Sequence, residues 1–226
     1  MKKTTYLISM VLAFMCQGAS AEDYRYLPLE GSPDQSQTPW RFAGSKKAIT
    51  VEDSGLNVEL KDNDTLFWCI GKRGDLEQGE ASAWNLNEEG IATVTFKLKV
   101  NASDTEVNCF TLMAGGNKGL AIVNFYPDKI TAGGSGKKSI EHDCRTDDTY
   151  RLTIKSGKYS LISKRDGIIF EGLDSSGETS WNLLWIGSTY PFGDKPEEGK
   201  KCQRSWNLGF IRWTNKEAIF DAPEGN

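Results

Sequence analysis

Two packed antiparallel β-sheets are the architecture that the alternation in this chain calls for, and three observations make the case. Residues 91–100 (IATVTFKLKV) place Val94, Phe96, Leu98 and Val100 on one side and Thr93, Thr95, Lys97 and Lys99 on the other, the period of two of a strand with one wet face. Residues 150–172 (YRLTIKSGKYSLISKRDGIIFEG) read as three short strands joined by Ser156-Gly157 and by Arg165-Asp166-Gly167, where glycine supplies the positive φ of a tight turn. The rest of the chain breaks into short apolar segments at turn-marked intervals, about a dozen strands with almost no helical period. The expectation is therefore an all-β antiparallel β-sandwich with less than about a tenth of its residues helical.

Taken in order, the chain begins with Lys2 and Lys3, an apolar run from Tyr6 to Met15, and Ala19-Ser20-Ala21. A basic start, a short apolar core and small residues at the end predict a secretory signal peptide over 1–21, with cleavage after Ala21. The apolar run is far shorter than the ~20 residues of a membrane-spanning helix. Lipidation at Cys16 is disfavoured by the bulk of Phe14 and Met15 before it. Residues 22–226 then form one domain whose first part, 22–39, is an extended polar leader with Pro28, Pro33 and Pro39, able to add to a sheet edge.

Strands are predicted at Trp40–Ala43, Ala48–Val51, Leu56–Leu60 and Thr65–Gly71, with turns at Glu52–Gly55 and Asp62–Asp64. Residues 72–90 lack a period and read as a long loop that carries Trp84. After the strand ending at Val100 come Val107–Ala114, Leu120–Tyr126 and Lys129–Ala132, separated by Gly115-Gly116 and Pro127-Asp128. Gly133–Lys138 reads as a flexible loop. Past the meander lie Leu183–Ser188, a Pro/Gly-rich insertion over 190–203, and a closing strand, Trp206–Thr214. Trp-Asn-Leu recurs at Trp84, Trp181 and Trp206, but unequal spacing excludes a repeat architecture.

Charge and cysteines narrow the function classes. The chain has 27 Lys+Arg against 31 Asp+Glu, a net charge of −4, and the leader removes two lysines and no acid. An acidic chain without a basic helix is a poor nucleic-acid binder. Cys69, Cys109, Cys144 and Cys202 form an even set in a chain with an export signal, so at least one disulfide is expected, with three connectivities open for two bridges. No Cys-x-x-Cys pair is present to make a structural zinc site.

The meander just quoted, together with Leu183–Ser188 (LLWIGS) and Trp206–Thr214 (WNLGFIRWT), resembles the core of concanavalin A-like (laminin G-like) jelly-roll domains of secreted bacterial proteins, over roughly residues 40–215. The resemblance implies a jelly roll and a secreted, non-catalytic carbohydrate-binding or polysaccharide-processing accessory domain, with a glycan as partner. Alternatives are a glycoside hydrolase or lyase with a diverged carboxylate site, and a protein-binding adhesion module.

The sequence is lean in catalytic patterns. Glucanases of the resembled fold carry Glu-x-Asp-x-x-Glu on one strand, a run this chain lacks. Lyases of that fold pair a histidine and a tyrosine on strands, whereas His142, the single histidine, falls in a charged loop and is expected at the solvated surface. Acids gather in turns, at Asp62/Asp64, Asp147/Asp148 and Glu197/Glu198, and are expected to be solvated. A calcium site at Asp62, Asn63 and Asp64 stands as an alternative to a strand-capping turn; no other metal or cofactor is expected. The predicted ligand site is Asn124, Tyr126, Trp185 and Trp84, because glycans lay apolar faces on aromatic rings while short polar side chains take their hydroxyls. Asn124 and Tyr126 share one strand face, so a groove beside a ring is expected on the concave sheet.

Overall fold

The computed structural model describes residues 23–26, 31–36, 38, 40–61, 64–84, 86, 90–102, 106–116, 119–133, 138–177, 180–188 and 202–217. The signal peptide over 1–21, the turn residues Asp62 and Asn63, the pair Glu197/Glu198 and most of the 190–203 insertion lie outside the described residues. Strand accounts for 64% of the described residues and helical turn for 6%, within the expected limit.

The strands are β1 (Asp23–Tyr26), β2 (Arg41–Gly44), β3 (Ile49–Glu52), β4 (Gly55–Lys61), β5 (Leu66–Arg73), β6 (Leu76–Gln78), β7 (Ala92–Val100), β8 (Phe110–Gly116), β9 (Gly119–Phe125), β10 (Lys129–Ala132), β11 (Lys138–Glu141), β12 (Asp148–Lys155), β13 (Lys158–Ser163), β14 (Gly167–Asp174), β15 (Trp181–Ser188) and β16 (Gln203–Thr214). They form two antiparallel sheets. The first has the order β14-β13-β12-β7-β16-β4-β3, with β1 also on β16; the second has β11-β10-β9-β8-β15-β5-β2, with β6 on β5.

The alternation in β7 holds except at Thr93, which was expected on the wet face but is 1% exposed, its Oγ1 donating to the Lys216 carbonyl at 2.7 Å. Val94, Phe96, Leu98 and Val100 enter the core, while Thr95, Lys97 and Lys99 stay partly exposed on the outer side of the first sheet. Inward residues of the two sheets meet in a ring-rich core. Phe96 stacks on Tyr150 at 5.5 Å between centroids, Phe125 meets Tyr150 at 5.0 Å, and Phe110 meets Trp206 edge-on at 5.0 Å. Such pairs add ~0.5–1.5 kcal/mol each beyond their buried area. Trp206 of β16 also donates from Nε1 to Ser188 Oγ on β15 at 3.0 Å, and Ser188 Oγ donates to the Cys109 carbonyl, so the two sheets are joined by a polar tie as well as by packing.

Several expectations are revised. Residues 72–90 are not one long loop: β5 runs on to Arg73, and Gly74-Asp75 turns it into β6. Part of the stretch after Gly133 becomes β11, and the third meander strand reaches Asp174. Cys69, Cys109, Cys144 and Cys202 are buried thiols with no disulfide among them, so the expected bridge does not form. Cys69 lies on the outer side of the second sheet, Cys109 and Cys144 belong to the main core, and Cys202 packs against Val107. Beyond packing, Cys69 Sγ donates to Gln78 Oε1 at 3.6 Å, Cys109 Sγ to the Val107 carbonyl at 3.7 Å and Cys144 Sγ to the His142 carbonyl at 3.6 Å. Among the described residues, no helix is long and apolar enough to cross a membrane.

Candidate functional site

The predicted ligand residues split between two places. Asn124 and Trp185 lie on the outer side of the second sheet, but that side is buried: Asn124 is 2% exposed and Trp185 5%. Register sets Asn124 between Thr111 and Thr131. Thr111 Oγ1 donates to Asn124 Oδ1 at 2.7 Å, Asn124 Nδ2 donates to Thr131 Oγ1 at 3.4 Å, and Asn108 Nδ2 donates to Thr111 Oγ1 at 2.7 Å. The amide of Asn124 is thus satisfied by side chains, as a buried amide must be. Trp185 packs with Phe67, Met113 and Ile122 beside this polar row. Tyr126 is 2% exposed with Lys129 over its ring at 4.7 Å. Trp84 is likewise 2% exposed instead of lying open in a loop; its Nε1 donates to the Gly115 carbonyl at 2.9 Å.

An open pocket lies elsewhere, where the turns of the two sheets meet at one lateral edge. Its volume is about 580 Å³, and Asp128, Glu141, His142, Asp143, Arg145, Arg165 and Asp166 line it with Ile140, Ile168 and Ile169. Sequence reasoning missed this site, because it treated each of these turns as separate solvated punctuation.

His142 organises the pocket floor. It is 7% exposed, not at the solvated surface as expected. The residue follows β11, and its backbone N–H donates to the Asp128 carbonyl at 2.9 Å, which draws the ring under the hairpin turn between β13 and β14. Nδ1 faces Asp166 Oδ2 at 3.2 Å, while Nε2 meets the Tyr150 hydroxyl at 2.9 Å. A carboxylate at Nδ1 selects the tautomer protonated there, leaving Nε2 to accept from Tyr150. Arg165 Nη2, 3.4 Å from Nε2, is a second donor on that side. Burial, and then the Arg165 charge, push the His142 pKa below its ordinary value against the opposing pull of Asp166, Asp148 and Asp143. The ring is neutral at pH 7 and held at both nitrogens.

Asp148 was also expected to be a solvated turn acid. It is 5% exposed and opens β12, two residues before Tyr150 and on the same inward face. Its carboxylate accepts from Ser163 Oγ, from the Thr149 N–H at 2.7 Å and from the Arg165 N–H at 3.2 Å, fixing the 163–167 turn. Above it, Arg165 donates to Asp166 Oδ2 at 2.7 Å and to the Asp143 carbonyl at 3.0 Å. Asp143 accepts from Arg145 Nε at 2.8 Å. The hydrogen bond from Arg165 holds Asp166 below the usual carboxylate range, and that from Arg145 does the same for Asp143. The pocket walls are therefore fixed charges on short, cross-braced turns.

Donor atoms of His142, Asp148 and Asp166 come within 4.8 Å of one another, a spacing open to a metal ion. Arg165 already places a positive charge among them, and the Asp148 oxygens are engaged. The set works as an ion-paired brace. At the proposed calcium turn, Asp64 is exposed, and its carbonyl accepts from Arg204 Nη2.

No protein-family profile matches the chain, and no curated protein sequence matches it. Solved structures do. A Crh5 transglycosylase in complex with NAG aligns over 86% of this chain and 84% of its own, with a TM-score of 0.54 and 10% identity. Trypanosoma rangeli sialidase in complex with 2,3-difluorosialic acid aligns over 80% of this chain with a TM-score of 0.53 and 10% identity. This chain spans 28% of the length of that sialidase. The fold is a jelly-roll β-sandwich. At such identities the likeness extends to the fold alone.

Proposed function

We propose that this chain is a glycan-binding jelly-roll domain without catalytic activity, acting in an exported protein. One observation carries the reading: the open pocket presents Asp128, Glu141, Asp143 and Asp166 with Arg145 and Arg165, several of them braced by internal bonds, next to Ile168, which is 62% exposed. Planar carboxylate and guanidinium groups pair two-to-two with sugar hydroxyls, and an exposed aliphatic side chain meets the apolar face of a ring. Groups already held in place lose little freedom on binding. The neighbours with the same fold include a transglycosylase bound to NAG and a sialidase, which supports a saccharide as the ligand class.

Support for a non-catalytic reading comes from how three of the pocket's titratable groups, His142, Asp143 and Asp166, are engaged. General base catalysis needs a group free to take a proton in reach of substrate. Both nitrogens of His142 are engaged, and Asp143 and Asp166 are each paired with an arginine. The test is a glycan-array screen of the full chain, followed by calorimetry on the best ligand with Asp166→Ala and Glu141→Ala. Losing one charge-assisted hydrogen bond, ~1.5–3 kcal/mol, weakens binding by roughly ten- to a hundredfold. New reducing ends released from the ligand would make it an enzyme; unchanged affinity in both variants would move the site.

A further inference from the structure

The geometry points to a pH-sensitive switch in the pocket floor: proton uptake by His142 expels the Arg165 guanidinium and so weakens binding in the pocket. The switch deepens the glycan reading of this pocket, and its control of binding rests on that reading.

Two cationic groups compete here for one carboxylate oxygen. Asp166 Oδ2 accepts from Arg165 Nε at 2.9 Å and from Nη2 at 2.7 Å, and the same oxygen lies 3.2 Å from His142 Nδ1. Across the ring, Arg165 Nη2 stands 3.4 Å from Nε2, and the Tyr150 hydroxyl stands at 2.9 Å. A neutral ring offers these donors a lone pair at Nε2. A protonated ring carries N–H at both nitrogens. Nε2 then faces a guanidinium that has only N–H groups to present. Asp166 holds the imidazolium at Nδ1, Asp148 Oδ2 lies 3.8 Å from Nε2, and Arg165 becomes the surplus cation.

Exposure decides which cation leaves. The His142 side chain is 2% exposed, and its backbone is tied to the Asp128 carbonyl at 2.9 Å. Arg165 is 32% exposed on the turn between β13 and β14, where its other acceptor is the Asp143 carbonyl at 3.0 Å. The guanidinium can reach water and the ring cannot. The remaining groups around the ring do not compensate. On its own segment, Glu141 and Asp143 are acids, Arg145 is spent on Asp143 at 2.8 Å, and the Cys144 thiol is uncharged, pushed up to about 12 by burial. Asp128 faces the pocket from the turn before β10, and β12 supplies Asp148 and the Tyr150 phenol, which burial keeps un-ionised. Burial, and then the Arg165 charge, lower the His142 pKa. Coupling is reciprocal, so the proton loosens Arg165 by the factor with which Arg165 repels the proton. A guanidinium released from its brace must be ordered again before it can meet a ligand.

NMR titration of the full chain from about pH 8 to about pH 4.5 tests the switch without any ligand, because the chain has a single histidine. The Arg165 Nη signals, distinct while the guanidinium is held, should coalesce with the midpoint of the ring titration. Arg165→Gln should raise that midpoint, and His142→Gln should leave the Arg165 signals unchanged with pH. A ring that stays neutral throughout, Arg165 signals that ignore it, or a midpoint unmoved in Arg165→Gln overturns the switch. A glycan array probed at about pH 7.5 and about pH 5 reads the consequence, since Asp143 and Asp166 are held below the usual carboxylate range and keep their charge. Retention should weaken about tenfold at the lower pH if the ring has titrated there, and His142→Gln should remove the difference. Equal retention on both sides of the ring midpoint overturns the control of binding. No glycan retained at either pH sinks the glycan reading and leaves the switch to its own titration.

Discussion

Acidification tests the pocket floor without touching a side chain, because His142 is the only histidine in the sequence. Its side chain is 2% exposed, and its neutral ring accepts from Tyr150 and Arg165 while Nδ1 faces Asp166, with Asp148 3.8 Å from Nε2 and Asp143 close by. Burial and Arg165 hold the folded-state pKa below the ordinary 6.5. Below ~6.5 the unfolded chain takes up a proton that the folded one refuses, so stability falls with falling pH down to the folded-state pKa and levels off beneath it. One proton limits the slope to about 1.4 kcal/mol per pH unit. Carboxylates held low, such as Asp34 and Asp166, stabilise the fold above ~4 and lose that contribution only in a more acidic window. Urea unfolding between about pH 8 and about pH 5.5 should show the slope in the native chain, and His142→Gln should flatten it. A flat profile in the native chain, or a histidine resonance titrating above 6.5, would refute the reasoning.

Other expectations follow from particular contacts. Trp206→Ala removes a fully buried ring and the tie to Ser188, and should cost ~3–5 kcal/mol in denaturant midpoint analysis with the slope unchanged. Thr111→Val leaves Asn124 Oδ1 and Asn108 Nδ2 without their partner and should cost ~1–3 kcal/mol per stranded group by the same assay. Cys69, Cys109, Cys144 and Cys202 should resist a thiol reagent in the native state and react on unfolding; burial pushes Cys69 up to about 11 and Cys144 up to about 12. Gly187→Ala should destabilise strongly, since φ is +146° and a Cβ there would overlap the Leu66 carbonyl on the adjoining strand.

Much of the fold was legible because strand alternation is a local signal. Val94 to Val100 declared which face of β7 enters the core, and Tyr150, Leu152 and Ile154 did the same for β12. Gly74-Asp75 held a hairpin signal that the irregular residues around it concealed. The pocket was harder. His142, Asp148, Ser163 and Asp166 come together only when β11 and the 163–167 turn arrive from opposite sheets, and no single window contains them. Parity did offer a clue: Asp148 continues the inward row of Tyr150 and Leu152, and Ser163 continues that of Tyr159 and Leu161. A polar residue on an inward row needs an internal partner, and here each supplies the other. Trp84 gave no such clue, because its burial depends on the distant Gly115 carbonyl.

Amide chemical-shift mapping during titration with the best array ligand tests the central claim most directly. The account predicts that the shifts cluster at Asp128, Glu141, Asp143, Asp166 and Ile168 around the pocket while the ligand stays intact. Shifts confined to Thr111, Asn124 and Trp185 on the second sheet, with the pocket amides unmoved, would contradict it.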